Sequence, residues 1–129
     1  MDISETFKAL GDETRLRILN LVSKHELCVC IIEETLGLLQ PNASKHLSRL
    51  KQSGIIRCRK VSQWCFFSIN KDYKDQCGKL CEFLEGEWAK GGRYINDLER
   101  LEHLLRTNDC CQKLLQKTQR GQASCNSDG

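Results

Sequence analysis

The sequence of 129 residues lacks long apolar runs, an export signal and the motifs of common enzyme classes. Because its apolar stretches are only a few residues long, we expect no membrane partner and a cytoplasmic location. There is no Cys-x-x-Cys in a thioredoxin-like context, no phosphate-binding glycine loop and no nucleophile–base motif, so we do not expect an enzyme. Residues 35–70 lack Asp and Glu but hold six Lys and Arg. This distribution indicates one surface that binds a polyanion.

Nine cysteines are the other unusual feature of the composition. In a short secreted chain they would suggest a disulfide scaffold, but here the count is odd and the helical periodicity is strong. We therefore interpret the chain as reduced, with some cysteines binding a metal or metalloid. Other cysteines are expected to be small residues of the core.

Residues 26–54 predict two helices joined by a short turn. The first, at residues 30–36, has a pair of thiols, Cys28 and Cys30, at its start. The second begins at Pro41, whose missing N–H would be unpaired at a first helical position. Its apolar positions recur at i, i+4 and i+7 and are Ala43, Leu47 and Leu50. The pattern is typical of a helix-turn-helix whose second helix reads DNA. The candidate DNA contacts are Gln40, directly before that helix, and, on the helix itself, Asn42, Ser44, Lys45, His46 and Arg49.

The flanking segments complete a winged arrangement. Helices are predicted at residues 3–10 and 13–24, the second capped by Asp12. Two strand-like runs at residues 55–60 and 64–69 predict a β-hairpin. A hairpin that follows a recognition helix is a wing, and its first strand is suited to phosphate contact. The basic residues of that strand are Arg57, Arg59 and Lys60.

Helical periodicity returns from residue 72 to about residue 117, with a predicted break at Gly91-Gly92. Two apolar stripes flank the break: Cys77, Leu80, Cys81, Leu84 and Trp88, then Tyr94, Leu98, Leu101 and Leu105. We interpret these helices, together with residues 3–10, as the interface of a homodimer. The predicted fold is mainly α with a small β-hairpin. Residues 1–106 would form the DNA-binding and dimerisation domain, and residues 107–129 a partly disordered, cysteine-containing tail.

These features together resemble the ArsR/SmtB family of bacterial metalloregulatory repressors. The segments that carry the resemblance are residues 7–19 (FKALGDETRLRIL), 26–30 (ELCVC), 42–54 (NASKHLSRLKQSG) and the strand ending in Arg59-Lys60. The resemblance covers roughly residues 3–105. It implies a homodimeric winged helix-turn-helix repressor that binds double-stranded operator DNA and leaves it when a toxic ion binds. ELCVC is similar to the arsenic- and cadmium-sensing branches, which implies arsenite or an organoarsenical As(III) as inducer.

The sequence departs from the arsenic-sensing pattern at one position. A third cysteine often follows the second by three residues in that pattern, but Glu33 stands there. The third thiolate would then come from elsewhere, or the inducer would need only two sulfurs. The vicinal pair Cys110 and Cys111 resembles the C-terminal pairs of some arsenic sensors. The zinc-sensing branch places Asp-x-His and His-x-x-Glu pairs on its last helix, whereas this chain has only His103 there, so we do not expect zinc sensing.

The candidate metal ligands are therefore Cys28, Cys30, Cys110 and Cys111, and two alternatives stay open. The four sulfurs could instead bind Cd(II) or Pb(II), or the same cysteines could form a disulfide in a redox sensor. A helix N-terminus favours a thiolate at the first pair. Residues i and i+2 lie about 200° apart on a helix, so both sulfurs reach one ion only if the first turn unwinds or Cys28 precedes the helix.

We expect the remaining cysteines to pack rather than bind. Cys58 and Cys65 fall on the two wing strands, diagonal to each other on one face. Cys77 and Cys81 lie within an apolar helix stripe. His46 has two open interpretations, a DNA contact or a hydrogen bond that anchors the recognition helix.

Overall fold

The structure, a computed structural model, describes residues 2–107 and residue 112. Its elements in chain order are α1 (Ile3–Leu10), α2 (Glu13–Val22), β1 (Leu27–Cys28), α3 (Val29–Leu36), α4 (Gln40–Gln52), β2 (Ile56–Val61), β3 (Trp64–Ile69), α5 (Lys71–Gln76), α6 (Gly78–Trp88) and α7 (Arg93–Thr107). The predicted mainly α fold with a small β-sheet is confirmed. Three cysteines lie outside the described residues: Cys110, Cys111 and Cys125.

Side-chain caps set the starts of the first two helices. The Asp2 carboxylate accepts hydrogen bonds from the backbone N–H groups of Ser4 and Glu5, and Asp12 accepts one from Arg15. These carboxylates satisfy N–H groups that have no partner within the helix. The predicted bounds of α1 are therefore confirmed, whereas α2 ends two residues earlier than predicted.

The sheet contains a short strand that periodicity did not predict. Its order is β1-β3-β2 with antiparallel pairs, and β1 brings Cys28 opposite Phe66. Two residues are too few to show an alternating pattern, so the sequence predicted a hairpin instead of three strands. The hairpin itself is confirmed, with Ser62 at a φ of 60° in its turn. The strand bounds differ from the prediction only at β2, which begins and ends one residue later.

The C-terminal helices pack against the chain's own helix-turn-helix. Helix α7 lies on α2 and α3, where the Arg17 guanidinium makes a bidentate ion pair with Asp97 at 2.8 and 2.9 Å. Leu101, which the prediction assigned to an interface stripe, is 0% exposed in this core. The predicted break is confirmed by positive φ values of 121° at Gly91 and 71° at Gly92. The single helix predicted before it is divided at Cys77 into α5 and α6.

None of the helices in the described part of the chain combines the length and apolarity that a membrane crossing requires.

Candidate thiol site and nucleic-acid surface

The first thiol pair lies where β1 ends and α3 begins. Cys28 is the N-cap of α3, with extended backbone at φ −79° and ψ 162°, and helical geometry begins at Val29. The sulfurs of Cys28 and Cys30 are 2.8 Å apart. One of the two conditions inferred from the sequence is therefore met, because Cys28 precedes the helix. Both sulfurs consequently face a common point, although they are only two residues apart.

The pair is largely enclosed. Cys28 is 1% exposed and belongs to the core, while Cys30 is partly exposed at its edge. The start of α3 presents N–H groups and the positive end of the helix dipole to this region. A thiolate is the ligand form of cysteine that binds soft ions.

A residue beyond α7 closes the exposed edge of β1. The Gln112 side-chain oxygen accepts a 2.7 Å hydrogen bond from the Cys28 N–H, and its side-chain nitrogen donates a 2.7 Å hydrogen bond to the Glu26 carbonyl. The amide thus occupies the place that a further strand would take beside β1. Sequence reasoning missed Gln112, because its contacts are 84 and 86 residues away and no local pattern marks them. Its only sequence signal is that it follows Cys111.

Glu33 occupies the position where the resemblance leads one to expect a third thiol. One oxygen of its carboxylate is buried without a hydrogen-bond partner. Across residues 2–107 and 112, no group of three or more His, Cys, Asp or Glu side chains is arranged to hold a metal ion. At the start of α3 the described residues therefore provide two sulfurs for a soft ion, and the predicted contribution of Cys110 and Cys111 lies outside the described part of the chain.

An ion pair joins the thiol region to the wing. The Arg59 guanidinium on β2 donates hydrogen bonds of 2.6 and 2.9 Å to the two oxygens of the Glu26 carboxylate. Glu26 lies two residues before Cys28, and its carbonyl accepts the Gln112 hydrogen bond. Arg59 was predicted to contact phosphate, and the structure shows it in an intramolecular pair instead of extending into solvent. Lys60, predicted for the same role, is exposed.

The recognition helix α4 divides its predicted DNA contacts into two groups. Asn42 and Lys45 are exposed, as is Gln40, whose amide donates a 3.0 Å hydrogen bond to the Ser44 hydroxyl. The other two hold the helix in place: Arg49 pairs with Glu5 of α1 at 3.0 Å, and His46 Nδ1 lies 3.2 Å from Arg15 Nη1. The anchoring interpretation of His46 thus has a partner in the structure.

Arg15 extends this anchoring to the end of α1. Its Nε donates a 2.6 Å hydrogen bond to the Ala9 carbonyl, and its Nη2 donates one of 3.3 Å to the Lys8 carbonyl. One guanidinium therefore contacts both the last turn of α1 and the middle of α4.

The wing cysteines lie as predicted. Cys58 is paired with Phe67 and Lys60 is paired with Cys65, which makes the two cysteines diagonal neighbours on one face. Burial raises the pKa of the Cys58 thiol, and a hydrogen bond to Cys65 raises it further. On α6, burial raises the pKa of the Cys81 thiol, and Cys81 belongs to the core as predicted.

Solved structures place this architecture in a known class. The homodimeric winged helix-turn-helix DNA-binding domain of a possible ArsR-family regulator from Mycobacterium bovis superposes with a TM-score of 0.58 at 24% identity, over 70% of this chain and 84% of that one. The helix-turn-helix and the wing, which together carry the six basic residues of positions 35–70, define the winged helix-turn-helix class of DNA-binding fold.

Sequence relatives identify the family. The model for bacterial regulatory proteins of the arsR family matches residues 12–57. An HTH-type transcriptional regulator from Methanocaldococcus jannaschii is 43% identical over 82 residues, which is 63% of this chain and 92% of the relative. The arsenical resistance operon repressor of Escherichia coli is 42% identical over 79 residues, covering 60% of this chain and 68% of the repressor. The chain belongs to the arsR family.

Proposed function

We propose that this regulator represses transcription as a homodimer on operator DNA and is released when trivalent arsenic binds the thiolates of Cys28 and Cys30. The observation that carries the proposal is the 2.8 Å approach of these two sulfurs at the start of α3. Trivalent arsenic is a soft acceptor of thiolates, and the pair needs little rearrangement to bind it. The similarity to an arsenical resistance operon repressor supports the choice of inducer.

The third thiolate is proposed to come from Cys110 or Cys111. Glu33 offers a hard oxygen at the position where the arsenic-sensing pattern often has sulfur, so it is a poor substitute. Gln112 binds the backbone on both sides of Leu27. In the sequence, Gln112 directly follows Cys110 and Cys111. Gln112 would thus bring the vicinal cysteines to the ion.

The contacts of the thiol region suggest how binding is transmitted to DNA. Cys28 pairs with Phe66 of the wing strand β3 and also caps α3, the helix before the recognition helix. Glu26 holds Arg59 of the wing. An ion that inserts between these two sulfurs and recruits a third thiolate would therefore shift β1 relative to α3 and disturb the wing and the recognition helix together. The coupling is reciprocal, so operator DNA would weaken arsenic binding by the same factor.

The proposed dimer uses surface that the monomer leaves exposed. Three large apolar side chains stand out on α1 and α6: Ile3 is 70% exposed, Phe7 55% and Phe83 61%. A groove of about 740 Å³ runs beside them and is lined by Ile3, Phe7 and Leu80. Apolar surface of this kind favours burial against a second copy. Phe7→Glu is expected to give monomers with weak operator binding, measured by sedimentation and by DNA titration, whereas Lys8→Glu on the same helix is the matched control.

Dimers that persist in the Phe7→Glu protein at micromolar concentration would place the interface elsewhere. Circular dichroism of that variant distinguishes loss of association from loss of folding, since Phe7 is not part of the buried core.

The test of the inducer begins with DNA sites selected from a random duplex pool by the purified protein. A fluorescent selected site is then titrated, and release is followed by anisotropy with arsenite, phenylarsine oxide, cadmium, lead, zinc and peroxide in parallel. Release by arsenite that is absent in the Cys28→Ser and Cys30→Ser variants is the expected result. Release by cadmium or lead but not arsenite would identify a divalent-ion sensor, and release by peroxide alone would identify a redox sensor.

A further inference from the structure

The wing contains a second pair of thiols that the proposed function does not use. Cys58 lies on β2 and Cys65 on β3, and both are partly exposed. In the antiparallel register Cys58 is opposite Phe67, two residues from Cys65, so the cysteines are diagonal neighbours on one face. The sulfurs therefore face the same space.

That space lies between the wing and the recognition helix. A pocket of about 220 Å³ is lined by both cysteines and by one face of α4. The α4 residues that line it are Ser44, Leu47, Ser48 and Lys51, and the remaining lining residues are Val29 and Phe67. The pocket thus separates the two elements that are expected to contact DNA, and its walls carry two thiols and a lysine.

We propose that Cys58 and Cys65 form a second dithiol site, which takes a monosubstituted trivalent arsenical between the recognition helix and the wing. Each thiol forms one S–As bond, and the As=O bond of the organoarsine oxide is broken. The two thiol protons leave with the oxygen as water, and no atom is oxidised or reduced. Two sulfurs satisfy such an arsenical, whose third substituent is its organic group, so the site needs no further ligand.

Disulfide formation is a poorer fit to the same pair. A disulfide requires S–S bonding near 2.05 Å and Cα atoms no more than about 7 Å apart, whereas diagonal residues of a sheet lie about 7–8 Å apart. An atom that bridges two sulfurs tolerates a wider separation: in a tetrahedral zinc site, for example, Zn–S bonds of about 2.3 Å place the sulfurs about 3.8 Å apart. The register therefore favours a bridging atom over a direct bond.

Two lysines near the pocket partly offset the raised pKa of the Cys58 thiol. Lys51 on α4 and Lys60 on β2 lower the pKa of the Cys58 thiol, although burial and the Cys65 hydrogen bond raise it more strongly. These lysines also belong to the basic segment that is expected to face phosphates. A ligand in the pocket would separate α4 from the wing and move both lysines relative to DNA.

The experiment uses the full chain and phenylarsine oxide as the probe. Intact-mass spectrometry counts bound phenylarsenic groups in the unaltered protein and in the Cys58→Ser, Cys65→Ser and Cys77→Ser variants. Each wing variant is expected to bind one group fewer, while Cys77→Ser keeps the wing adduct, located by fragmentation between residues 58 and 65. An unchanged count in either wing variant, with thermal melting showing a folded chain, would overturn the site.

Operator binding is then measured in the Cys28→Ser/Cys30→Ser protein, which separates this site from the proposed arsenite site. Phenylarsine oxide is expected to weaken DNA binding about tenfold in that protein, and the effect is expected to vanish when Cys58→Ser is added. An adduct that leaves DNA affinity unchanged would overturn the regulatory part of the proposal. Failure of arsenite to release the unaltered protein would instead contradict the proposed function and leave this site standing.

Discussion

The two thiol pairs of this chain are brought together by different levels of structure. Cys28 and Cys30 are neighbours in sequence, and their 2.8 Å approach results from extended backbone at Cys28 directly before α3. Cys58 and Cys65 are neighbours only because the β2–β3 register makes them so. The first pair is tied to the core, to β1 and to Gln112, whereas the second opens into a pocket at the recognition helix. We therefore expect the first pair to control the state of the whole domain and the second to act locally.

The largest expected effect distinguishes the two thiol pairs by whether arsenite-dependent release depends on them. Cys30→Ser is expected to weaken arsenite-dependent release by about 100-fold or more, since it removes a ligand and leaves one thiol at α3. Cys65→Ser is expected to leave arsenite release unchanged. Both proteins are expected to bind the selected DNA normally, which anisotropy titration checks. Arsenite release that is lost in Cys65→Ser and kept in Cys30→Ser would reverse the assignment of the two pairs.

The next effect concerns the third sulfur of the first pair. Replacing Cys110 and Cys111 together with Ser is expected to weaken the arsenite response by roughly tenfold to 100-fold, because arsenite can use three thiolates. The response to phenylarsine oxide is expected to change less, since two sulfurs suffice for it. Equal losses for both reagents would contradict the separate role of the tail cysteines. If the Cys28 and Cys30 variants respond normally, the vicinal pair is the whole site.

A smaller effect is expected for Gln112→Ala. This change removes two hydrogen bonds, each contributing about 0.5–1.5 kcal/mol, so the arsenite response is expected to weaken about tenfold. Gln76→Ala, at an exposed position of α5, is the matched control. The wing site provides a second control, because phenylarsine oxide binding there is expected to be the same in the Gln112→Ala protein. An arsenite response identical to that of the unaltered protein would show that Gln112 positions nothing.

The smallest effect tests whether the wing pair lies beside DNA. Lys60 is the residue opposite Cys65, and Lys60→Ala is expected to reduce the slope of log affinity against log salt by about 0.9 for the loss of one phosphate contact. All DNA sequences are expected to be affected alike, in contrast to Asn42→Ala on α4, which is expected to relax sequence preference. Lys74→Ala at an exposed position of α5 is the control, and an equal change of slope there would remove the case for a wing contact.

Much of the fold was predictable because its signals are local. Asp2 and Asp12 cap the helices that follow them, and the recurring apolar residues of α4 indicate the face that it buries. The wing strands were found from their composition. Strand β1 was missed because two residues show no period, although it is the element that places Cys28 before α3.

The parts of the site that could not be predicted depend on contacts between distant residues. Arg59 is paired with Glu26, 33 residues away, and Arg49 is paired with Glu5, 44 residues away. A basic residue looks the same in sequence whether its charge is directed to solvent or to a carboxylate. Leu101 likewise looks the same whether its stripe packs on its own chain or on a partner, and burial in the core decided the question.

Arg15 has a consequence for the length of the operator. By contacting the carbonyls of Lys8 and Ala9 and the ring of His46, it links α1 to the recognition helix. Because α1 also carries the proposed dimer surface, the distance and angle between the two recognition helices would be transmitted through this guanidinium. One base pair inserted between half-sites rotates one relative to the other by about 34°. Because this contact links the recognition helix to the proposed dimer surface, the spacer between half-sites is expected to tolerate no change in length.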